Sequence, residues 1–280
     1  MTTYRSHQRR HLSAWKILRI MSRNIWASRG LIWELGKRDL FGQYKNYFLG
    51  SAWILISPIL EVCFWLYLQK TGILKPGDTP IPYPAYIYIG LTMWGMFVAF
   101  YNAGVSTLKS AGGMLMQVNF PHEAYLLKQT LHYLFTFTIQ LAMALLVLLM
   151  FGVIPSWKIV FLPLAALPLF CFGAAIGLVL SLSAVMALDV APFMNFILRI
   201  LMLSIPVVYA PAVQSPLAQT INQWNPLTYL VCSCRDLVIY GRLYDTVGYA
   251  LSAMLAVVLF LIALKIFFVS EKRVIERMVS

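Results

Sequence analysis

The acidic residues are the first candidates for a catalytic site, because general acid–base and metal chemistry need carboxylates held close together. The ten Asp and Glu residues are scattered along 280 positions, and most of them neighbour a basic residue. The sequence contains no H-E-x-x-H pair, no G-x-S-x-G elbow and no G-x-x-x-x-G-K-[ST] phosphate loop. It therefore predicts no enzyme active site, no bound metal or cofactor, and no ATP hydrolysis by this chain alone.

The composition is that of a membrane protein. Hydrophobic residues make up 60% of the chain and charged residues 11%, with a mean hydropathy of +0.75, whereas a soluble domain carries roughly a quarter charged residues. A hydrocarbon core about 30 Å thick needs roughly 20 apolar residues per helix. We predict an all-α membrane protein with six transmembrane helices, near residues 50–69, 83–108, 128–151, 159–188, 193–213 and 247–268.

The apolar stretch at 215–242 is predicted to be a re-entrant segment and not a seventh span. Arg235 and Asp236 lie inside it, and Asn225-Pro226 interrupts its start, so a full crossing would be costly. Most of the 22 Lys and Arg residues fall on the side that holds both termini. Because positively charged loops stay in the cytoplasm, both termini are predicted to be cytoplasmic.

The chain before the first span is predicted to lie on the membrane. Residues 1–30 form a basic extension, in which Arg and Lys beside Trp fit attraction to anionic lipid headgroups better than binding of nucleic acid. Residues 31–48 place Trp33, Leu40, Phe41 and Tyr44 at helical spacing with charged residues between them. This pattern predicts an amphipathic interface helix that bends at Gly50 into the membrane domain, 49–270, which a short cytoplasmic tail, 271–280, follows.

Several motifs resemble the membrane subunits of ABC-2 type exporters, in the branch that moves lipid-linked polysaccharides. In the family's order they are Arg38-Asp39-Leu40, Tyr44-Lys45, Leu49-Gly50, Trp53 and Pro58; Asn119-Phe120-Pro121; Asp189-Val190 followed by Pro206-Val207-Val208-Tyr209; and Trp224-Asn225-Pro226-Leu227-Thr228 with Arg235 downstream. Leu188 and Ile205 depart from the family's usual Arg and Ser. The resemblance covers the chain from about residue 31 to its end.

The resemblance implies an ATP-driven exporter in which this chain is the permease. It implies a homodimer joined by two copies of a separate ABC ATPase subunit, which uses ATP and Mg²⁺, and an undecaprenyl-linked polysaccharide that crosses the inner membrane. The implied contacts with the ATPase are Arg38, Asp39, Phe120, Pro121, His122 and Glu123. The implied gate at the periplasmic mouth includes Trp224, Asn225, Pro226 and Arg235.

Aromatic residues at helical spacing are candidates for a substrate channel. Flat rings can contact sugar rings through their faces, and a mid-span carboxylate is costly unless it meets water or a partner. The candidates are Tyr86, Trp94, Phe97 and Tyr101 in the second span, with Glu61, Phe64 and Tyr67 in the first. The alternative is that these rings form interfacial belts or pack against neighbouring helices.

Two other functions fit part of the sequence. An ABC-2 exporter of a small lipid or drug would show fewer aromatic residues along its path. A membrane glycosyltransferase or polymerase would carry catalytic carboxylates in its outer loops, where this chain has only Asp78, Asp236 and Asp245, widely separated. The sequence leaves open whether the polymer is an O-antigen of lipopolysaccharide, a capsule or a teichoic acid.

Overall fold

The structure, a computed structural model, describes residues 14–42, 52–115, 122–184, 187, 189–211 and 216–279. Every regular element in these ranges is helical. The α-helices are α1 (Ala14–Ala27), α2 (Arg29–Gly42), α3 (Trp53–Lys70), α4 (Tyr83–Leu115), α5 (His122–Met150), α6 (Leu162–Ala165), α7 (Leu167–Ala184), α8 (Val190–Leu203), α9 (Pro216–Trp224), α10 (Pro226–Tyr240) and α11 (Thr246–Val279). A 3₁₀ turn, Trp157–Phe161, precedes α6.

Four helical segments are long and apolar enough to cross a membrane. They are Tyr83–Thr107, Ala124–Met150, Trp157–Ala184 and Thr246–Ser270. The other two predicted spans correspond to α3, with 18 residues, and to α8, with 14. A 14-residue helix is about 21 Å long, which is short of a hydrocarbon core of about 30 Å. The described residues are therefore all-α with four candidate membrane-spanning segments, while the count of six spans stays a prediction.

The central helix of the bundle is α4, which packs between α5 and α7, and α11 covers the far side of α7. The α4–α7 contact is close because glycines face each other. A Cβ added at Gly104 would lie 2.8 Å from the Gly177 Cα, and one added at Gly177 would overlap the Tyr101 carbonyl oxygen. Such small residues allow two membrane helices to pack backbone against backbone.

Hydrogen bonds tie several loops together at one end of the bundle. The Ala210 amide donates to the Pro76 carbonyl at 2.7 Å, which joins the turn after α8 to the loop between α3 and α4. The Ser156 amide donates to the Val238 carbonyl at 2.8 Å, which joins the loop after α5 to α10. Consequently α10 lies at the same end as the start of α4 and the ends of α5 and α8.

The N-terminal residues contribute two helices that pack on the bundle. Met21 of α1 lies in an apolar cluster with Leu264, Phe267 and Phe268 of α11, and Ile32 of α2 packs with residues near the start of α5. Helix α2 covers the first part of the predicted interface helix. Residues 43–51, with the predicted bend at 50, lie outside the described ranges.

Candidate functional site

The predicted gate segment consists of two helices separated by a capping sequence. The Asn225 side-chain oxygen accepts a hydrogen bond from the Leu227 amide at 3.0 Å, and Pro226 occupies the first turn of α10, where no backbone donor is needed. Gly241 ends α10 with φ 66°, the left-handed conformation that glycine adopts without strain. Trp224, the last residue of α9, is 83% exposed.

Arg235 is the centre of a buried polar cluster on α10, with 3% of its surface exposed. Its Nη1 donates to the Tyr86 hydroxyl and to the Pro206 carbonyl oxygen, both at 2.7 Å, and its Nε donates to Asp236 Oδ1 at 2.8 Å. The guanidinium carbon also lies 4.7 Å from the centre of the Tyr86 ring. The Tyr86 hydroxyl is 3.1 Å and 3.0 Å from the carbonyl oxygens of Pro206 and Tyr209.

These five residues, which we call the Arg235 cluster, connect three separate segments of the chain. Arg235 and Asp236 belong to α10, Tyr86 to the first turn of α4, and the two carbonyls to the turn after α8. A buried guanidinium is tolerated only when a counter-charge and hydrogen-bond acceptors surround it, and the cluster supplies both. Its chemical role is therefore to hold α10 against α4.

The two cysteines of α10 lie beside this cluster and are buried. Burial raises the pKa of the Cys232 thiol to about 11 and that of the Cys234 thiol to about 12, so both are protonated and unreactive at neutral pH. The described ranges contain no group of three or more His, Cys, Asp or Glu side chains that could hold a metal ion.

A second polar site is a cavity of about 670 Å³ between α4, α5 and α8, with Glu61 contributed by α3. The lining residues recur at intervals of three and four on each helix, so each helix presents one face to the cavity. The cavity is lined by Glu61, Leu91, Trp94, Gly95, Val98, Ala99, Asn102, Tyr133, Thr136, Phe137, Gln140, Asn195, Leu198, Arg199 and Met202.

The polar cavity contains one carboxylate and one guanidinium. Within the described ranges, the side chains of Glu61 and Arg199 form no ion pair and no hydrogen bond. Glu61 also lines an adjoining chamber of about 80 Å³ with Tyr88, Thr92 and Gln140, and the buried Tyr88 hydroxyl has no hydrogen-bond partner among the residues that the structure describes. The Glu61 and Arg199 side chains are both exposed, so this cavity is open to a polar ligand or to water.

The predicted channel residues occupy three different environments. Trp94 and Glu61 line the polar cavity. Phe97 and Tyr101 are buried inside the subunit, with 0% and 2% of their surfaces exposed, and Tyr86 belongs to the Arg235 cluster. The remaining two rings, Phe64 and Tyr67, are exposed on α3. The buried rings pack inside the subunit, and the channel role of the set stays a prediction.

The predicted contacts with an ATPase are only partly described. Arg38 is exposed on α2. Phe120 and Pro121 lie outside the described ranges, as do the side chains of Asp39, His122 and Glu123. The gate prediction, in contrast, falls on described residues that the structure brings to one end of the bundle.

Sequence reasoning missed most of the polar cavity. Asn195 and Arg199 lie four residues apart on α8, and Thr136 and Gln140 lie four residues apart on α5. Polar residues repeated at this spacing within an apolar run indicate a polar helix face. That signal was available, but the expected channel was defined by the aromatic pattern and the Glu61 carboxylate.

A second cavity, of about 530 Å³, is apolar and lies between α4, α5 and the segment 159–170. Thr130 and Thr138 are its polar lining residues, and each hydroxyl donates to a carbonyl of its own helix, at 2.7 Å and 2.9 Å. With both donors used within α5, this cavity is suited to a hydrocarbon chain and not to a sugar.

Comparison with known proteins agrees with the motifs. The ABC-2 type transporter family matches residues 30–239. An O-antigen export system permease protein RfbA from Myxococcus xanthus is 26% identical over 248 residues, which cover 88% of this chain and 94% of the relative. Two proteins of the same name from Klebsiella pneumoniae are each 22% identical, over 81% of this chain and 88% of their own length. The chain therefore belongs to the ABC-2 type transporter family and is a membrane permease.

Proposed function

We propose that this chain is the permease of an ATP-driven exporter that moves a lipid-linked polysaccharide across the inner membrane. The observation that carries the proposal is the polar cavity, which places Glu61, Gln140 and Arg199 with the Trp94 ring between membrane helices of an ABC-2 permease. Carboxylates, amides and a flat ring are the groups that bind hydroxyls and the CH faces of sugars. The relatives named as O-antigen export permeases support the same substrate class.

The exporter works as a homodimer in this proposal, because two helices next to the polar cavity carry large exposed apolar residues. On α3 these include Leu60 and Phe64, each 55% exposed, and on α8 they include Phe193 and Phe196, which are 62% and 61% exposed. A second copy that covers α3 and α8 would also enclose the open side of the cavity. The substrate path then runs between the two subunits.

Energy comes from two copies of a separate ABC ATPase, which bind ATP and Mg²⁺. The proposed docking surface is α2 with the segment between α4 and α5, and it includes Arg38, Asp39, Phe120, Pro121, His122 and Glu123. The substrate is undecaprenyl-linked, as in the family that the motifs resemble.

Export at the outer mouth is controlled by α9 and α10 in this proposal. Exposed Trp224 marks the end of α9, Asn225 and Pro226 allow the chain to turn, and Arg235 fixes α10 to α4. Displacement of α10 from α4 would open the path. The Arg235 cluster is the contact that must break for this to occur.

Deletion of the gene in its host tests the proposed function. We expect loss of surface polysaccharide and accumulation of lipid-linked polymer in the cytoplasm, with recovery when the gene is restored on a plasmid. Unchanged surface polysaccharide with no internal accumulation would refute the proposal. An adjacent reading frame that encodes an ATPase with a phosphate loop would identify the partner.

The second candidate function is export of a small lipid, and the apolar cavity favours it. A volume of about 530 Å³ would accommodate a hydrocarbon chain of roughly 20 carbon atoms, since one water-sized group fills about 30 Å³. Measurement of the lipids in the deletion strain separates the two functions, because a lipid exporter would change membrane lipid composition and leave surface polysaccharide intact.

A further inference from the structure

Arg199 is the only charged residue of α8, whose other residues are apolar apart from one Asn. It is the tenth of 14 residues and lines the polar cavity with Asn195, which precedes it by one turn. The Arg199 side chain is exposed, and within the described ranges it has no hydrogen bond or ion pair. The cavity therefore presents a fixed positive charge that is available to a ligand.

The negative charge of the cavity is contributed by a different helix. Glu61 comes from α3 and also faces the smaller chamber, where Gln140 lies with the Tyr88 hydroxyl, which has no partner in the described part of the chain. No ion pair joins Glu61 and Arg199, so the nitrogen atoms of the guanidinium lie more than 4.0 Å from the oxygen atoms of the carboxyl group. An anionic ligand is consequently attracted to the α8 side, where the guanidinium lies.

The groups on the two sides suit two parts of one ligand. A guanidinium binds planar pairs of oxygen atoms, such as those of a carboxylate or a phosphate, through two parallel hydrogen bonds. A carboxylate accepts from hydroxyls, and an amide both accepts and donates, so Glu61 and Gln140 suit sugar hydroxyls. The Trp94 ring in the same cavity can stack against a sugar face.

We propose that the polar cavity is a binding subsite for an oxyanion-bearing sugar or sugar carrier, in which Arg199 binds the oxyanion and Glu61 with Gln140 binds hydroxyls. This inference rests on the proposed export function and makes Arg199 its specificity-determining residue. The oxyanion has two sources: the phosphate that links a polymer to its lipid carrier, or an acidic sugar within the polymer. Both present the same pair of oxygen atoms to Arg199.

Binding to the purified full-length chain in detergent micelles tests the subsite, with two pairs of probes. Geranylgeranyl diphosphate is compared with geranylgeraniol, and methyl glucuronide with methyl glucoside. We expect the wild-type chain to prefer the anionic member of at least one pair, and Arg199→Gln to weaken that binding roughly 10- to 100-fold, the effect of losing a charge-assisted hydrogen bond. A loss confined to the diphosphate identifies the lipid carrier as the source, and one confined to the glucuronide identifies an acidic sugar.

The matched control is Lys265→Gln, which removes a positive charge from an exposed position on α11 outside the cavity and should leave both affinities unchanged. Arg199→Lys keeps the positive charge but lacks the planar guanidinium, so we expect it to lose less affinity for the anion than the Gln variant does. If the Gln variant does not fold, the Lys variant decides the test. An absence of any anion preference in the wild-type chain, or a preference that survives these Arg199 substitutions, would overturn the proposal.

Export in the host separates this inference from the proposed function. We expect a strain with Arg199→Gln to export at least tenfold less surface polysaccharide than wild type at equal permease abundance. If gene deletion abolishes export while Arg199→Gln exports at the wild-type rate, the subsite is wrong and the exporter function stands. If deletion itself leaves surface polysaccharide unchanged, the function is wrong.

Discussion

Removal of the Tyr86 hydroxyl should make displacement of α10 from α4 easier. Tyr86→Phe keeps the ring under the Arg235 guanidinium but deletes the oxygen that accepts from Nη1 at 2.7 Å. It also deletes the donor that lies 3.0 Å from the Tyr209 carbonyl, whereas the Pro206 carbonyl keeps its bond from Arg235 at 2.7 Å. Of these two bonds, only the one from Arg235 joins α4 to α10, so opening of α10 should become easier by about 1.5–3 kcal/mol, or roughly 10- to 150-fold in its equilibrium constant.

The buried cysteines of α10 provide the assay. Cys232 and Cys234 are buried, whereas Cys63 is exposed and Cys171 is half-buried, so Ser replaces the latter pair to leave α10 as the labelled segment. A maleimide reagent then reacts with the purified full-length chain only when α10 leaves its site and the thiol pKa falls to its ordinary value. We expect the labelling rate of the Phe variant to rise by the same factor, roughly 10- to 150-fold, provided that α10 closes faster than the reagent labels it.

Tyr240→Phe is the matched control, because it makes the same chemical change on α10 at a ring that is 38% exposed. Its labelling rate should stay within threefold of the parent. Equal labelling rates for Tyr86→Phe and the parent protein would refute the view that the Arg235 cluster holds α10 in place.

Three further substitutions test other features. Gly177→Ala should destabilise the chain by about 1–3 kcal/mol, because its Cβ would overlap a carbonyl oxygen of α4, whereas Gly95→Ala has its nearest neighbour at 3.9 Å; equal melting temperatures for the two variants would contradict this. Asn225→Ala should cost about 1 kcal/mol through loss of the helix cap, seen as faster thiol labelling that Asn225→Ser does not show. Arg38→Ala combined with Asp39→Ala should uncouple ATP hydrolysis from export in reconstituted complexes without dissociating the permease, and full transport by that variant would count against the docking surface.

The sequence predicted the break between α9 and α10 because local chemistry determines it. Asn225 can cap a helix and Pro226 favours its first turn wherever they occur together. The partner of Arg235 could not be predicted in this way, since Tyr86 lies 149 residues away in the chain. A contact at that separation depends on how α4 and α10 pack, which no local pattern encodes.

The aromatic stripe on α4 shows a second limit of sequence patterns. Spacing of three and four places Tyr86, Trp94 and Tyr101 near one face of a helix, but α4 is surrounded by protein on most sides. Helical periodicity therefore does not distinguish a face that lines a cavity from one that packs against α7 or α10. Polar residues such as Arg199 are better markers of a cavity, because a charged side chain that faces lipid carries a large free-energy cost.

The glycine contact between α4 and α7 has a mechanical consequence. With Gly104 and Gly177 backbone to backbone, α4 and α7 are held close together at that crossing and should move as one unit. The 30 residues from Tyr86 to Leu115 on α4 span about 44 Å. A force applied near Leu115 therefore tilts α4 and α7 together. This tilt strains the Arg235 cluster, which is the contact that keeps α10 in place.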